Sequence, residues 1–161
     1  MSHKTNWQIK NATAKDDRVI AQHFYQLWLD NDFSAEQIQD NWLETTLDFI
    51  AKARQELSFQ AWLVETEGKI VGSASCQLFS GLYPLVFKPE FRRYGYIWNV
   101  YVESDFRRQG IATELMKRCI DYLKSIDCTR IILHASVSGK PVYENMKFIS
   151  SNEMRLDIFD Q

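Results

Sequence analysis

Hydrophobic residues recur at two different spacings along the chain, and these spacings divide it into helices and strands. A period of three to four residues, which places apolar side chains on one helix face, runs through Asp16–Asp30 and Ile111–Lys124. Ser34 and Gln37 have the pattern of a capping box, and apolar residues then recur with a helical period over Ile38–Leu57. The pattern therefore predicts two early helices and a third, strongly amphipathic helix in the second half of the chain.

β-Branched and aromatic residues are concentrated in the remaining segments, which favours extended strands there. Two of these segments flank Glu67-Gly68-Lys69 and form a predicted hairpin, whereas Ser80–Arg93, with one glycine and two prolines, is a predicted loop. The predicted strands are Trp7–Ala12, Phe59–Thr66, Ile70–Phe79, Tyr96–Val102, Arg130–Ala135, Phe148–Ser150 and Glu153–Phe159, and a short helix is predicted over Gly139–Met146. The order β α α β β β α β α β β predicts one mixed α/β domain over residues 1–161.

Composition narrows the class of protein. The 161 residues are 45% hydrophobic and 25% charged, which is enough apolar material for a core and argues against disorder. With 19 basic and 21 acidic residues the formal charge is 19 − 21 = −2, so we expect no nucleic-acid partner. No apolar stretch approaches the roughly 20 residues of a membrane span, and the start has no apolar leader, so a cytoplasmic location without a membrane partner is expected.

Three cysteines bear on redox state and metal binding. Cys76, Cys119 and Cys128 form an odd set without C-x-x-C spacing, which fits neither a disulfide framework nor a zinc site. We expect all three to be reduced and the protein to bind no metal.

The segment from Val100 to Thr113 is the most informative about chemistry. It places a basic turn containing Gly110 between a predicted buried strand and the N-terminus of an amphipathic helix, where free amides and the helix dipole favour a phosphate. The spacing matches neither a Walker A motif nor G-x-G-x-x-G, so nucleotide hydrolysis and dinucleotide binding are poorly supported. The alternative is an ordinary solvated turn in which Arg107 and Arg108 are exposed charges.

Two motifs carry a resemblance to a known family. Arg107-Arg108-Gln109-Gly110-Ile111-Ala112 resembles the R/Q-x-x-G-x-G/A signature of the GNAT superfamily of acyl-CoA-dependent N-acetyltransferases. Tyr143-Glu144-Asn145-Met146-Lys147-Phe148 resembles that family's Tyr-Glu-x-x-Gly-Phe element, with Lys147 at the usual glycine. If that glycine serves a helix end with positive φ, a lysine there costs about 1 kcal/mol. The resemblance implies a GNAT-like mixed, mostly antiparallel sheet flanked by helices.

The resemblance also implies acetyl-CoA as co-substrate and a place for each of its parts. The turn amides would bind the pyrophosphate, the backbone of Val100 and Val102 would pair with the pantetheine arm, and the Val100 amide would polarise the thioester carbonyl. This pairing requires the strand Arg130–Ala135 to separate from its neighbour. The cofactor-contacting residues so implied are Val100, Tyr101, Val102, Arg107, Arg108, Gln109, Gly110, Ile111, Ala112, Thr113 and Ser136.

Tyr143 resembles the general acid of the family, which protonates the thiolate of coenzyme A as it departs. A tyrosine on an amphipathic helix can also be part of the core. Glu103, on one strand face with Asn99 and Tyr101, is a candidate to accept the proton of the acceptor amine, although a strand-end carboxylate is often only exposed. His134 is the reserve candidate for that role. No covalent acyl-enzyme is expected, because no cysteine lies in a motif with a base.

We therefore expect direct transfer of an acetyl group from acetyl-CoA to a primary amine in a ternary complex. The alternative is a non-catalytic acyl-CoA-binding or sensor module, which would dispense with Tyr143. The acceptor remains open among small amines, antibiotics, peptides and proteins, and a homodimer is the alternative to a monomer.

Overall fold

The computed structural model describes residues 6–158, and at its centre five strands lie side by side in chain order. The strands are β1 Gln8–Asn11, β2 Gln60–Thr66, β3 Lys69–Leu78, β4 Tyr94–Val102 and β5 Arg130–Ile132, and the helices are α1 Asp17–Asp30, α2 Trp42–Glu56, α3 Ile111–Ser125 and α4 Lys140–Asn145. Strands β1 to β4 pair antiparallel, and β5 joins β4 in parallel. This mixed, mostly antiparallel sheet with flanking helices confirms the predicted fold class.

The hairpin predicted from Glu67-Gly68-Lys69 is confirmed as β2 and β3. Its two central residues, Glu67 and Gly68, have φ values of +50° and +77°, and the strands pair again at Thr66 and Lys69. Positive φ at both central residues is the geometry of a type I′ turn, whose twist matches that of the flanking strands.

The second helix begins later than predicted. The capping box of Ser34 and Gln37 closes only a short 3₁₀ turn, Ala35–Gln37, and the next residue, Ile38, has extended backbone. Helix α2 starts at Trp42, where apolar residues first recur every three to four positions without interruption. The residues between are mostly Asp and Asn, which favour turns over helix interiors because their side chains compete for backbone hydrogen bonds.

The predicted C-terminal strands are wrong within the described residues. Neither Phe148–Ser150 nor Glu153–Ile158 is a strand, and Phe159 lies outside the described part. Phe148 packs against the α3 core, but the other large apolar residues of this segment are at least 76% exposed, namely Ile149, Met154, Leu156 and Ile158. Apolar alternation predicts a strand, but a strand also needs a neighbour for its backbone hydrogen bonds, and the short β5 provides none.

The helices cover the two faces of the sheet with two separate cores. On one face α1 and α2 bury Ile20, Ile50 and Ala53 against β2. On the other face α3 buries a wide apolar stripe, as its sequence predicts, including Leu115 and Met116. The sheet is therefore held rigidly from both sides.

Three general features concern residues 6–158. No helix there is both long and apolar enough to cross a membrane. The same residues contain no group of three or more histidine, cysteine, aspartate or glutamate side chains that could hold a metal ion. Cys76, Cys119 and Cys128 are all free thiols, and burial raises the pKa of Cys76.

Strands β4 and β5 separate soon after they begin. They pair only from Tyr94–Arg130 to Tyr96–Ile132, so β5 ends three residues earlier than predicted. Beyond that point, the β4 segment Ile97–Val102 has no strand partner on this side among the described residues. We call the resulting opening the strand gap. It lies directly before the turn that leads into α3.

Candidate active site

An extra residue in β4 forms a bulge beside the strand gap. Ser75 pairs with Trp98 and Ser73 pairs with Tyr101, so β4 advances three residues while β3 advances two. Asn99, next to Trp98, has φ of +54°, in the left-handed region. A positive φ at the first bulged residue is usually found with glycine, and bulges in general are over-represented beside active sites, where they re-aim a side chain.

The bulge decides which backbone groups of β4 face the strand gap. The Glu103 amide donates to the carbonyl of Val71 in β3 at 2.8 Å. Because successive residues alternate, Tyr101 also faces β3, whereas Val100 and Val102 present their backbone groups to the gap. Of the three predicted contact residues in β4, Val100 and Val102 face the gap with their backbone groups, and Tyr101 does not. The Tyr101 ring packs against His23 of α1, on the face of the sheet opposite the α3 core.

Arg107 has a different environment from the one its motif suggests. Its Nε donates to the Val102 carbonyl at 2.8 Å, and its Nη2 forms an ion pair with Asp30 Oδ2 at 2.7 Å. The guanidinium also lies 5.9 Å from the centre of the Tyr101 ring. The Arg107 side chain therefore connects the C-terminus of α1 to the edge of β4.

The turn before α3 exposes backbone amides. Gly110 is the N-cap with φ of +79°, and Arg108 also has a positive φ, +60°. Among residues 6–158 the amides of Ile111, Ala112 and Thr113 have no carbonyl or side-chain partner, and Arg108, Gln109 and Gly110 are exposed. Three free amides at the positive end of a 15-residue helix form an anion site.

Tyr143 lies on α4 and packs against the core beneath α3, as Val100 does. Burial raises the pKa of the Tyr143 phenol to about 12, so it stays protonated at neutral pH. Its ring also lies over the start of its own helix, since a methyl group at Gly139 would come within 3.1 Å of Tyr143 Cε2. A general acid must carry its proton at the working pH, and the buried phenol of Tyr143 does so.

Lys147, at the place of the motif's usual glycine, makes a left-handed turn at the end of α4. Its φ is +71°, its amide donates to the Glu144 carbonyl, and the Phe148 amide donates to the Tyr143 carbonyl. These two bonds form a Schellman motif, and the rings of Phe148 and Tyr143 make its apolar contact at 6.1 Å. The lysine therefore bears a local conformational strain but leaves the Tyr143 element intact.

Ser136 and His134 follow β5 and are engaged within the chain. The Ser136 hydroxyl accepts a hydrogen bond from the Gly139 amide at 3.1 Å, so it tethers the start of α4. His134 is exposed, and its ring nitrogens lie 2.9 Å from the Tyr96 hydroxyl and 2.8 Å from Glu153 Oε2. Both residues thus hold neighbouring segments in place.

Glu103 lies at the C-terminal end of β4 and is partly exposed. Its Oε2 forms an ion pair with Lys69 Nζ at 2.8 Å. An exposed pair of this kind stabilises little, because water screens both charges. The carboxylate is held near the site and stays accessible to a proton.

Sequence reasoning missed His23 and Ser73, which lie behind the bulge. His23 Nδ1 is 2.7 Å from Ser73 Oγ, and Asn99 Nδ2 donates to the same oxygen at 3.1 Å. Burial lowers the pKa of His23 to about 4, against a smaller opposing effect of Glu103. The available signal was its position three residues after Ile20, on the buried stripe of α1.

Comparison with known proteins agrees with this geometry. Residues 21–148 match the profile of the Acetyltransferase (GNAT) family, and the chain therefore belongs to that family. It is similar to a predicted acetyltransferase with acetyl-CoA from Clostridium acetobutylicum, with a TM-score of 0.80 and 26% identity over 95% of this chain and 97% of that one.

Two named relatives match this chain over only part of their own length. The chain is 32% identical over 102 residues to N-alpha-acetyltransferase 30 of Xenopus laevis, covering 62% of this chain and 34% of that protein. It is also 32% identical over 96 residues to glucosamine 6-phosphate N-acetyltransferase of Trypanosoma brucei brucei, covering 56% of this chain and 59% of that protein. The chain thus spans about a third of the first relative and three fifths of the second.

The buried His23 predicts a specific pH dependence of stability. Its folded-state pKa of about 4 lies below the ordinary 6.5, so the unfolded chain takes up the proton first as pH falls. The contribution of His23 is complete above about pH 7 and falls by about 3 kcal/mol by pH 4. His23→Asn keeps a hydrogen-bonding group without titrating, so urea unfolding of the variant should show a shallower decline. Parallel curves for the two proteins would contradict the assignment.

Proposed function

We propose that the protein is an N-acetyltransferase that moves an acetyl group from acetyl-CoA to a primary amine. The observation that carries the proposal is the strand gap, which directly precedes the free amides of α3. Val100 of the gap and Tyr143 of α4 pack against the same core. Family membership supports it, as do two relatives whose names both state N-acetyl transfer. The test is release of free thiol from acetyl-CoA in the presence of a panel of amines.

Binding of acetyl-CoA would use backbone more than side chains. The amides from Arg108 to Thr113 would bind the pyrophosphate at the helix terminus. The pantetheine amides would pair with Val100 and Val102 as an added strand, sharing the Val102 carbonyl with Arg107. The acyl carbonyl would then accept a hydrogen bond from the Val100 amide, which stabilises the oxyanion of the tetrahedral intermediate.

The reaction needs two proton transfers around one displacement. The amine nitrogen attacks the thioester carbon to form a C–N bond, and the C–S bond breaks as the intermediate collapses. Tyr143 gives its phenolic proton to the departing sulfur, and because burial disfavours the phenolate, this transfer accompanies C–S cleavage. Glu103 accepts the proton that the amine nitrogen loses. A ternary complex suffices, with no acyl-enzyme.

Gly110→Ala tests the pyrophosphate site. At φ of +79° a side chain is strained although no atom lies within 4 Å of the added methyl, and a shift of the turn that relieves this strain also moves its amides. We expect the Kd for coenzyme A to rise about tenfold, an effect of about 1.4 kcal/mol.

Gly68→Ala is the matched control, because Gly68 has φ of +77°, is equally open and lies in the β2–β3 turn. Calorimetric titration should show unchanged affinity for this variant. Equal affinities for both variants would place the pyrophosphate elsewhere.

Tyr143→Phe removes only the phenolic oxygen. If the phenol protonates the leaving thiolate, turnover should fall about 100-fold while the Kd for coenzyme A changes little. Tyr122→Phe is the control, since Tyr122 is also partly buried but donates to the Ser58 carbonyl. That variant should lose stability and keep its turnover. A Tyr143→Phe enzyme with normal turnover would mark Tyr143 as a structural tyrosine, whereas coenzyme A binding without any turnover in wild type would favour the binding or sensor module.

Glu103→Gln tests the proton acceptor. An alkylamine has a pKa near 10.4, so at pH 7 it is mostly an ammonium ion and must lose a proton before its nitrogen can attack. Turnover should fall at pH 7, and the deficit should shrink as pH rises and more amine is already neutral. Lys69→Met breaks the same ion pair but keeps the carboxylate, and it should retain turnover. A rate profile parallel to wild type from pH 6 to 10 would remove Glu103 from the mechanism.

A further inference from the structure

We propose that His23, Ser73 and Asn99 form a bulge lock, a set of positioning residues that hold the β4 bulge and thereby aim the Val100 amide. The three side chains come from α1, β3 and β4 and are joined in one chain of hydrogen bonds. All three are buried, with 8%, 0% and 3% exposure. The effect of the lock on catalysis rests on the proposed acetyl transfer, whereas the existence of the lock is independent of it.

Asn99 anchors the lock at the bulge. Asparagine is among the few non-glycine residues that adopt positive φ readily, because its short amide can bond locally. Its Nδ2 donates both hydrogens, to the Ile20 carbonyl at 3.3 Å and to Ser73 Oγ at 3.1 Å. Reversing the amide would place Oδ1 against the Ile20 carbonyl, so the orientation is determined even though Oδ1 is buried without a partner among the described residues.

Ser73 connects Asn99 to α1 through hydrogen bonds of its hydroxyl group. Because its oxygen accepts a hydrogen from Asn99, its own hydroxyl hydrogen is available for His23 Nδ1, 2.7 Å away. This direction requires a neutral ring protonated on Nε2. The Tyr101 ring, with its centre 4.7 Å from that of His23, packs against the same imidazole. The bulge is therefore tied to a helix on the far face of the sheet.

The position of the extra residue matters because it determines which residues of β4 direct their backbone groups to the strand gap and which direct them to β3. With the bulge at Asn99, Val100 and Val102 face the strand gap and Tyr101 faces β3. A bulge displaced along the strand would invert this alternation over the residues it passes. A misplacement of about 1 Å between a reacting atom and its catalytic group can reduce a rate 100-fold. The lock thus keeps the amide that polarises the thioester in a single place.

Ser75 provides a matched control for Ser73. It lies two residues further along β3 on the same face, is also fully buried, and pairs with Trp98 on the other side of the bulge. Its hydroxyl has no hydrogen-bond partner among the described residues. Ser73→Ala and Ser75→Ala therefore delete the same atom from equivalent places, and only the first breaks the lock.

The experiment compares wild type with these two variants in full-length protein. With an amine that wild type acetylates, Ser73→Ala should lower kcat about tenfold and leave the KM for acetyl-CoA within about twofold, while Ser75→Ala leaves both unchanged. His23→Leu should behave like Ser73→Ala. His23→Asn, whose amide reaches the position of Nδ1, should recover most of the lost turnover.

A second measurement does not depend on activity. Amide hydrogen exchange at Tyr101 should be faster in Ser73→Ala than in Ser75→Ala, because the bulge is released only in the former. Equal exchange rates would overturn the lock, whatever the turnover. Faster exchange with unchanged kcat would overturn its catalytic part. If wild type acetylates no amine, the proposed function fails, and the exchange result alone then decides whether the lock exists.

Discussion

The edge of β4 that faces away from β3 is the constraint on which the site depends. Backbone amides and carbonyls must find partners, and a parallel neighbour normally provides them along a whole strand. Here β5 pairs with only three residues of β4 and then departs, so the second half of β4 keeps an open edge within a sheet held rigidly from both faces. An extended ligand with its own amides can complete that edge, as an added strand does.

Two features beside the α3 core have complementary chemistry. The N-terminus of α3 offers amides without a partner among the described residues and the positive end of a helix dipole. On α4, burial keeps the Tyr143 phenol protonated, and a Schellman motif holds its ring against Phe148. These two features suit a ligand that has an anionic part and a leaving group that must gain a proton.

The face of the sheet under α1 is unusually polar for a buried surface. Ser73, Ser75 and Gln77 alternate with Ala74 and Cys76, so one side of β3 carries hydroxyl and amide groups while the other joins the α3 core. Buried polar groups destabilise unless they are paired. Ser73 is paired with α1 and β4, and Gln77 accepts a hydrogen bond from Trp98 of β4, whereas Ser75 has no partner among the described residues. Their arrangement specifies one geometry of the strand more strongly than apolar packing would.

The family resemblance predicted the mostly antiparallel sheet. Sequence patterns by themselves determined a mixed α/β domain, the long helices α1 and α3, the β2–β3 hairpin and the glycine turn before α3. These features depend on local periodicity and on backbone conformations that few residues adopt. The motif also located Tyr143 and placed Lys147 at a turn that has positive φ. Only the tertiary structure decided where β5 leaves β4, that Glu153–Ile158 forms no strand, and that Arg107 pairs with Asp30. It likewise revealed the bulge at Asn99 and its contacts with His23. Each of these features depends on contacts between residues that are far apart in the chain. The spacing of residue types along the sequence does not specify which distant residues come into contact.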